Sequence, residues 1–306
     1  MQDDSNKMTN KSKFKPIDAA TVILARDQEG GPFEVFIMRR NKKQEFMGGA
    51  FVFPGGQLDE ADCDPHLAGC AKGLSAEEAK LGLNEPDLPN HKVIGLFFTA
   101  VRETFEEAGM LLAAHQSGAE VDFSDSEIHK RFQASRRDLH GGRISLEELA
   151  ERENIQFTLD LIRPYAHWIT PDVQPKRFDT RFLLARLPKG QIPVHDSIEM
   201  IESLWITPRD ALSESEAGKI LLMPPTLKIM EELCEFSSVD ELFSAAASRE
   251  IQPILPQPFS EGDTFGLKLP HDSEYSIEEF KQPHRPQETS RIVMIDGRWK
   301  TVRSEV

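Results

Sequence analysis

The stretch AVRETFEEAG, residues 100–109, sets Glu103, Glu106 and Glu107 within one helical turn, with Arg102 in front of them. At spacings of three and four residues the carboxylates share a face, where like charges cost a helix roughly 0.2–0.5 kcal/mol per pair unless something positive lies between them. Two chemistries suit the pattern. One is a solvated acidic face, the commonest use of glutamate in a helix. The other is a set of hard oxygen donors for Mg2+ or Mn2+, ions that bridge protein carboxylates to phosphate oxygens. An adjacent arginine can pair bidentately with one carboxylate and fix its rotamer.

Upstream, FVFPGGQLDEAD (51–62) is a short apolar strand that ends at Pro54, Gly55 and Gly56. Glycines at such a boundary tolerate positive φ and let a ligand approach the backbone, so Gly55 and Gly56 are expected to bind substrate. Arg39 and Arg40 end the preceding strand, where a guanidinium can meet phosphate or simply face water.

The elements that must position these groups follow from periodicity. DAATVILARD (18–27) and FEVFIMRR (33–40) are β-rich runs separated by the turn signal QEGGP. Residues 63–97 form an inserted, mainly helical segment with a capping box at Ser75 and Glu78. A helix is predicted over 97–114, with Val101, Phe105, Ala108 and Leu112 as its buried stripe. Two short helices are predicted over 124–152, the second capped at Ser145, within a further insertion at 115–160. Strands return at 165–171, 177–188 and 201–208, the last running into a helix capped by Thr207 with Pro208 at its first position. Helices are predicted at 224–236 and 239–250. The expected fold class is α+β: one domain over 16–250, a polar tail over 1–15, and a Pro-rich extension over 251–306 in which RIVMIDGRWK makes a hairpin or an edge strand.

Composition narrows the function. The 306 residues carry a net charge of -15, with 39% hydrophobic residues, 28% charged residues and a mean hydropathy of -0.42. That balance argues against broad binding to nucleic acid or an anionic membrane, though not against a small anionic substrate met by a few cations or a bound metal. No run of about 18 apolar residues is present, so no membrane span is expected. The N-terminus lacks the apolar region of a secretory signal, the C-terminal SEV is no peroxisomal address, and cytoplasm is expected. Cys63, Cys70 and Cys234 make no disulfide framework; Cys63, His66 and Cys70 offer only three zinc ligands with no partner pair elsewhere.

The acidic stretch resembles the second half of the Nudix box. That box reads Gly, five residues, Glu, seven residues, then Arg-Glu-hydrophobic-any-Glu-Glu-any-Gly-hydrophobic. Arg102 to Met110 fits, save that Thr104 takes a hydrophobic place. Gly56 fits the first glycine, Asp62 stands where the box has Glu, and thirty-nine residues separate Asp62 from Arg102. An insertion inside the box is similar to a Nudix subgroup that includes peroxisomal coenzyme A diphosphatases. The likeness extends through HWITP, RFDTRFLLA, ESLWITP and LMPPT, over residues 16–240.

The resemblance implies a mixed-sheet α/β/α sandwich and hydrolysis of a pyrophosphate bond in a nucleoside diphosphate derivative. It implies Glu103, Glu106 and Glu107 as ligands of Mg2+ or Mn2+, with Arg102 orienting them. Asp62 keeps the structural role of the box Glu. Glu202 is the preferred distal general base and Glu199 the second. Arg39, Gly55 and Gly56 are expected at the substrate. Phe46, Phe51 and Phe53 are better read as core than as adenine-stacking rings, and His167 and Trp168 as strand packing. His195 and Asp196 form no triad with a serine. The expected substrate is coenzyme A or acyl-CoA, giving 3′,5′-ADP and 4′-phosphopantetheine, with ADP-ribose, NADH or a nucleotide sugar as alternatives. A non-catalytic nucleotide-binding regulator is the reading of another class; the presence of all three box glutamates favours catalysis. The expected partner is a small nucleotide, not nucleic acid or membrane, with a homodimer as the candidate assembly.

Overall fold

The computed structural model describes residues 15–44, 47–174, 176–196 and 199–304. Phe46, and all but the last residue of the expected 1–15 tail, lie outside the described residues. The strands are β1 (Ile17–Arg26), β2 (Glu34–Arg40), β3 (Phe51–Val52), β4 (Gly55–Gln57), β5 (Ala113–His115), β6 (Ile155–Phe157) and β7 (Arg163–Ile169). They continue as β8 (Phe178–Arg186), β9 (Met200–Ile206), β10 (Pro253–Ile254), β11 (Gln257–Glu261), β12 (Thr264–Lys268), β13 (Arg291–Ile295) and β14 (Arg298–Val302). The helices are α1 (Ala76–Leu83), α2 (Asn90–Ala108), α3 (Ser126–His140), α4 (Leu146–Glu153), α5 (Pro208–Glu216), α6 (Pro224–Leu233) and α7 (Val239–Ser248).

Alternation along the central strands produces the sandwich. Side chains of successive strand residues point to opposite faces. Val22 and Leu24 of β1, Phe36 and Met38 of β2 and Leu183 of β8 therefore join one core with α1 to α4. Ile23, Val35, Ile37, Phe182 and Leu184 join a second core with α5 to α7. The sheet between them runs β10-β7-β8-β1-β2-β3 and is mixed: β1 pairs parallel with β8 and antiparallel with β2. One edge of β1 is shared. Ala25 and Arg26 pair with β2, whereas Ala19 to Thr21 pair with β4, so the Gly55–Gln57 strand enters the sheet between them. On its other edge β2 pairs with β9, from Val35 to Arg40.

Capping boxes at Ser75 and Ser145 and the Thr207–Pro208 start all form. The acidic helix differs from the predicted 97–114. It starts at Asn90, after Pro89, and buries Val93 and Leu96 before the expected first turn. It ends at Ala108, because Gly109 adopts a φ of 70° and the N–H groups of Gly109 and Met110 turn back to the carbonyls of Phe105 and Thr104. Leu112, predicted on the stripe, is buried beyond the helix.

The C-terminal segment is more regular than its prolines suggest. β10 extends the main sheet beside β7, and β11 to β14 form a four-stranded antiparallel sheet. RIVMIDGRWK is the β13–β14 hairpin, turned at Asp296 and Gly297, both at positive φ. Leu267, Leu269 and Ile292 belong to the second core. Among the described residues no helix is long and apolar enough to cross a membrane.

Candidate active site

The acidic face of α2 is not solvated. Glu106 and Glu107 are 8% and 4% exposed, turned toward β4 and the turn that follows it. At the centre lies Arg102. Its Nε and Nη2 donate to Asp62 Oδ1 and Oδ2 at 2.9 and 2.8 Å, a bidentate pair. Its Nη1 donates to Glu103 Oε1 at 2.8 Å and Glu106 Oε2 at 3.2 Å, and Nη2 also reaches the Gln57 carbonyl at 3.1 Å. Asp62 is itself buried: its Oδ2 accepts from Thr99 Oγ1 at 2.8 Å and from the Asp59 N–H at 3.1 Å. Asp62 is thus an anchor for Arg102, and the two halves of the split motif meet despite the thirty-nine residues between them.

Gly55 and Gly56 serve this packing in a way the sequence did not suggest. Both lie in extended β4, paired with Thr21 and Ala20, rather than in a positive-φ turn. The Gly55 N–H donates to Glu107 Oε2 at 2.8 Å, so that amide is committed to the protein. A Cβ on Gly56 would sit 2.1 Å from Glu103 Oε1, and one on Gly55 would sit 2.5 Å from the Ala20 carbonyl oxygen. Their smallness lets β1 and two α2 carboxylates close on the same backbone.

Charge is unevenly distributed here. Asp62, Glu103 and Glu106 are bonded directly to one guanidinium, and Glu107 beside them is bonded to the Gly55 N–H. Burial, together with the Glu106 carboxylate, pushes Glu103 up to about 7 against the pull of Arg102. Burial also raises Glu106, and burial beside Glu103 holds Glu107 well above the usual carboxylate range. Among the described residues no three such side chains already converge on one point as a metal cage does. Arg102 holds Glu103 and Glu106 while Glu107 turns to Gly55. The donor set nonetheless fits a hard divalent cation: it is all oxygen, nearly dry and short of positive charge.

The remaining expected residues separate into two groups. Arg40 and Glu199 both act electrostatically on Glu107, so they border the cluster. The Glu199 N–H is held by Asp196 Oδ2 at 3.1 Å, and Arg40 Nη2 donates to Gln44 at 3.0 Å. Arg39 and Glu202, by contrast, lie opposite each other on β2 and β9 and form an ion pair at 3.0 Å, with the Glu202 side chain 47% exposed. Phe51 and Phe53 are buried in the second core, as are Trp168 and its strand neighbour Tyr165. His167, also buried, is bonded to Asp179. Neither Thr99 nor Arg136 is marked by the sequence. Thr99 is an ordinary helix residue three positions before Arg102, and Arg136 lies in α3, yet it donates to the carbonyls of Glu106 and Glu107.

Beside Arg102 and Glu106 opens a cleft of about 290 Å³, bordered by Asp59 and Leu67 on one side and Leu139 and Ile144 on the other. Both inserted segments therefore reach the rim of the carboxylate cluster.

This arrangement has counterparts. A family model described as the NUDT19 Nudix domain matches residues 76–233, more than half of the chain and including the whole of α2. The acyl-coenzyme A diphosphatase NUDT19 of Xenopus laevis is 26% identical over 296 residues, covering 80% of this chain and 76% of that protein. Its namesake from Gallus gallus is 27% identical over 303 residues, covering 84% and 79%. The solved structure of a Nudix hydrolase from Alicyclobacillus acidocaldarius is 27% identical and superposes with a TM-score of 0.65 over 79% of this chain and 100% of that one. A split box closed by an arginine, on a mixed sheet between two helical layers, has the same explanation as these likenesses: the chain belongs to the NUDT19 Nudix domain family of Nudix hydrolases.

Proposed function

We propose that this enzyme hydrolyses the pyrophosphate bond of coenzyme A or acyl-CoA in a divalent-metal-dependent reaction. The observation that carries the reading is the surplus of buried carboxylate on one turn of α2, where Arg102 is ion-paired directly with Glu103 and Glu106 but not with Glu107. The acyl-CoA preference is supported by the names of the relatives, which match along most of their length.

Glu103, Glu106 and Glu107 would hold Mg2+ or Mn2+, which when bound would neutralise charge developing at phosphorus and acidify water. Arg102 keeps Glu103 and Glu106 aimed together and is fixed in turn by Asp62. Arg40, whose Nε is buried without a hydrogen-bond partner, offers a cation to the pyrophosphate beside Glu107. Glu199 accepts the proton of the attacking water. It is favoured over Glu202 because its charge reaches Glu107 while Glu202 is engaged with Arg39. Water oxygen bonds to one phosphorus, the bridging P–O bond breaks, and 3′,5′-ADP leaves with 4′-phosphopantetheine or its acyl form. The cleft beside Glu106, bordered by both insertions, supports a role for those segments in substrate choice. Three free cysteines suit a reducing compartment, and the reading puts the enzyme in the cytoplasm.

The test is turnover of CoA, acyl-CoA, ADP-ribose and NADH with Mg2+ and with Mn2+, the products being identified by mass. The highest kcat/KM is expected on CoA or acyl-CoA, yielding 3′,5′-ADP. A higher kcat/KM on ADP-ribose or NADH would move the substrate class. Binding without turnover of any of them would make the protein a nucleotide binder instead.

A further inference from the structure

The carboxylates proposed as metal ligands sit on the last two turns of α2, where a helix ordinarily frays because its final four carbonyls lack intrahelical donors. In this molecule all four are accounted for. Phe105 O accepts from the Gly109 N–H at 3.0 Å and Ala108 O from the Val194 N–H at 2.8 Å. The other two belong to the glutamates: Arg136 Nε donates to Glu106 O at 2.9 Å and Nη2 to Glu107 O at 2.9 Å. Arg136 is 6% exposed, and a Cβ on Gly109 would lie 2.8 Å from its Nη1, so the chain turn is shaped around the guanidinium. A buried cation at the negative end of a helix is favoured electrostatically, but a lysine or a water could provide that charge or those bonds. A planar fork that spans two successive carbonyls does more: it fixes the backbone of both residues against a second element, α3.

We infer that Arg136 is a positioning residue for the metal-binding glutamates, acting through the carbonyls of Glu106 and Glu107. The inference rests on the proposed metal role of those side chains. A divalent ion of the Mg2+ type demands near-octahedral oxygen geometry, and a site must hold its ligands to within roughly 0.5 Å. Backbone freedom at the end of α2 would displace both carboxylates together. Tying the two carbonyls to α3 removes that freedom, and it links the 115–160 segment mechanically to the site.

The test uses the full-length protein, with Mn2+ binding followed by electron paramagnetic resonance and hydrolysis followed separately. In R136K one charge remains but the two-carbonyl fork is lost. Removing groups that orient metal ligands costs about 10–100-fold in metal affinity. R136K is therefore expected to bind Mn2+ about tenfold more weakly, with substrate KM at saturating Mn2+ unchanged and the metal-free melting temperature nearly so. Mn2+ binding equal to that of the parent would overturn the inference and leave Arg136 a plain helix cap. Failure of the parent itself to bind Mn2+ would instead overturn the metal site. Should R136K not fold, hydrogen exchange on the parent decides. Metal binding must then slow exchange of the α3 amides around Arg136 as well as those at the end of α2, since coupling is reciprocal. Unchanged exchange in α3 would overturn the inference.

Discussion

Two buried arginines organise this molecule, and they do so differently. Around Arg181, which is 2% exposed, Asp18, Glu85 and Asp179 stand at 2.7, 2.6 and 3.5 Å. Lys92 adds a second cation 2.9 Å from Asp18, and His167 bonds to Asp179. Cations and carboxylates nearly balance there, and the outcome is visible in Asp18: although burial opposes it, Lys92 and Arg181 hold its carboxyl below the usual range. Around Arg102, Asp62, Glu103 and Glu106 share one guanidinium with Glu107 beside them, and burial pushes Glu103, Glu106 and Glu107 all upward. Both clusters hold the 63–97 insertion against the body, one through Glu85 and Lys92 within it and the other through Asp62 immediately before it. Only one keeps negative charge in excess. The balanced cluster has its attraction satisfied within the protein, whereas the unbalanced one retains attraction for something outside it.

The sharpest way to break this contrast is to remove one unit of the surplus. Glu107→Gln should abolish metal-dependent hydrolysis, a larger loss than the roughly 10–100-fold typical of residues that only orient ligands. It should also suppress the metal-induced rise in melting temperature that binding to the native state produces. Retained hydrolysis would take α2 out of the mechanism. Next in size is Glu199→Gln, expected to lower kcat by about 10²-fold or more, as removal of a general base does. Its control, Glu202→Gln, loses an exposed ion pair worth under about 1 kcal/mol and should leave kcat unchanged. The reverse ranking would return the base to Glu202. Smallest in its effect on activity is Arg181→Met. Leaving buried partners uncompensated costs about 3–5 kcal/mol, and the lower end is expected because Asp18 and Glu85 keep some exposure. Denaturant unfolding should show that loss while kcat per folded molecule and metal affinity stay as in the parent. A weakened metal site in this variant would show that the two clusters are not separable.

Local chemistry made much of this legible in advance. The caps at Ser75, Ser145 and Thr207 are short-range signals and formed as read. The ends of α2 were harder, because the residues before 97 carry too weak a stripe to announce a helix, and because Gly109 reads as a motif residue as readily as a stop. Apart from the β13–β14 hairpin, read in RIVMIDGRWK, the C-terminal sheet escaped notice for a related reason. Its strands are at most five residues long and gain their stability from packing against elements far away in sequence. At the site, the residue types pointed to the α2 carboxylates and Arg102. Side-chain direction did not follow from them: Gly55 turns its amide to Glu107, and Glu202 turns to Arg39. Arg136 had no signal, since a contact across some thirty residues leaves no periodicity.

The Asp62–Arg102 pair has a consequence for how such a chain can grow. It staples the ends of the inserted segment together, so the segment behaves as a closed ring whose circumference is free to change. Ring-closure entropy rises only with the logarithm of length, and going from seven residues to thirty-nine costs roughly 1.5 kcal/mol. Leu67 and Leu83, both almost fully buried in the first core, each return roughly that much by leaving water. So far as ring closure goes, a motif interrupted in this way is close to one left whole, which makes the point just after Asp62 a place where the architecture can admit new polypeptide that orders itself by its own burial.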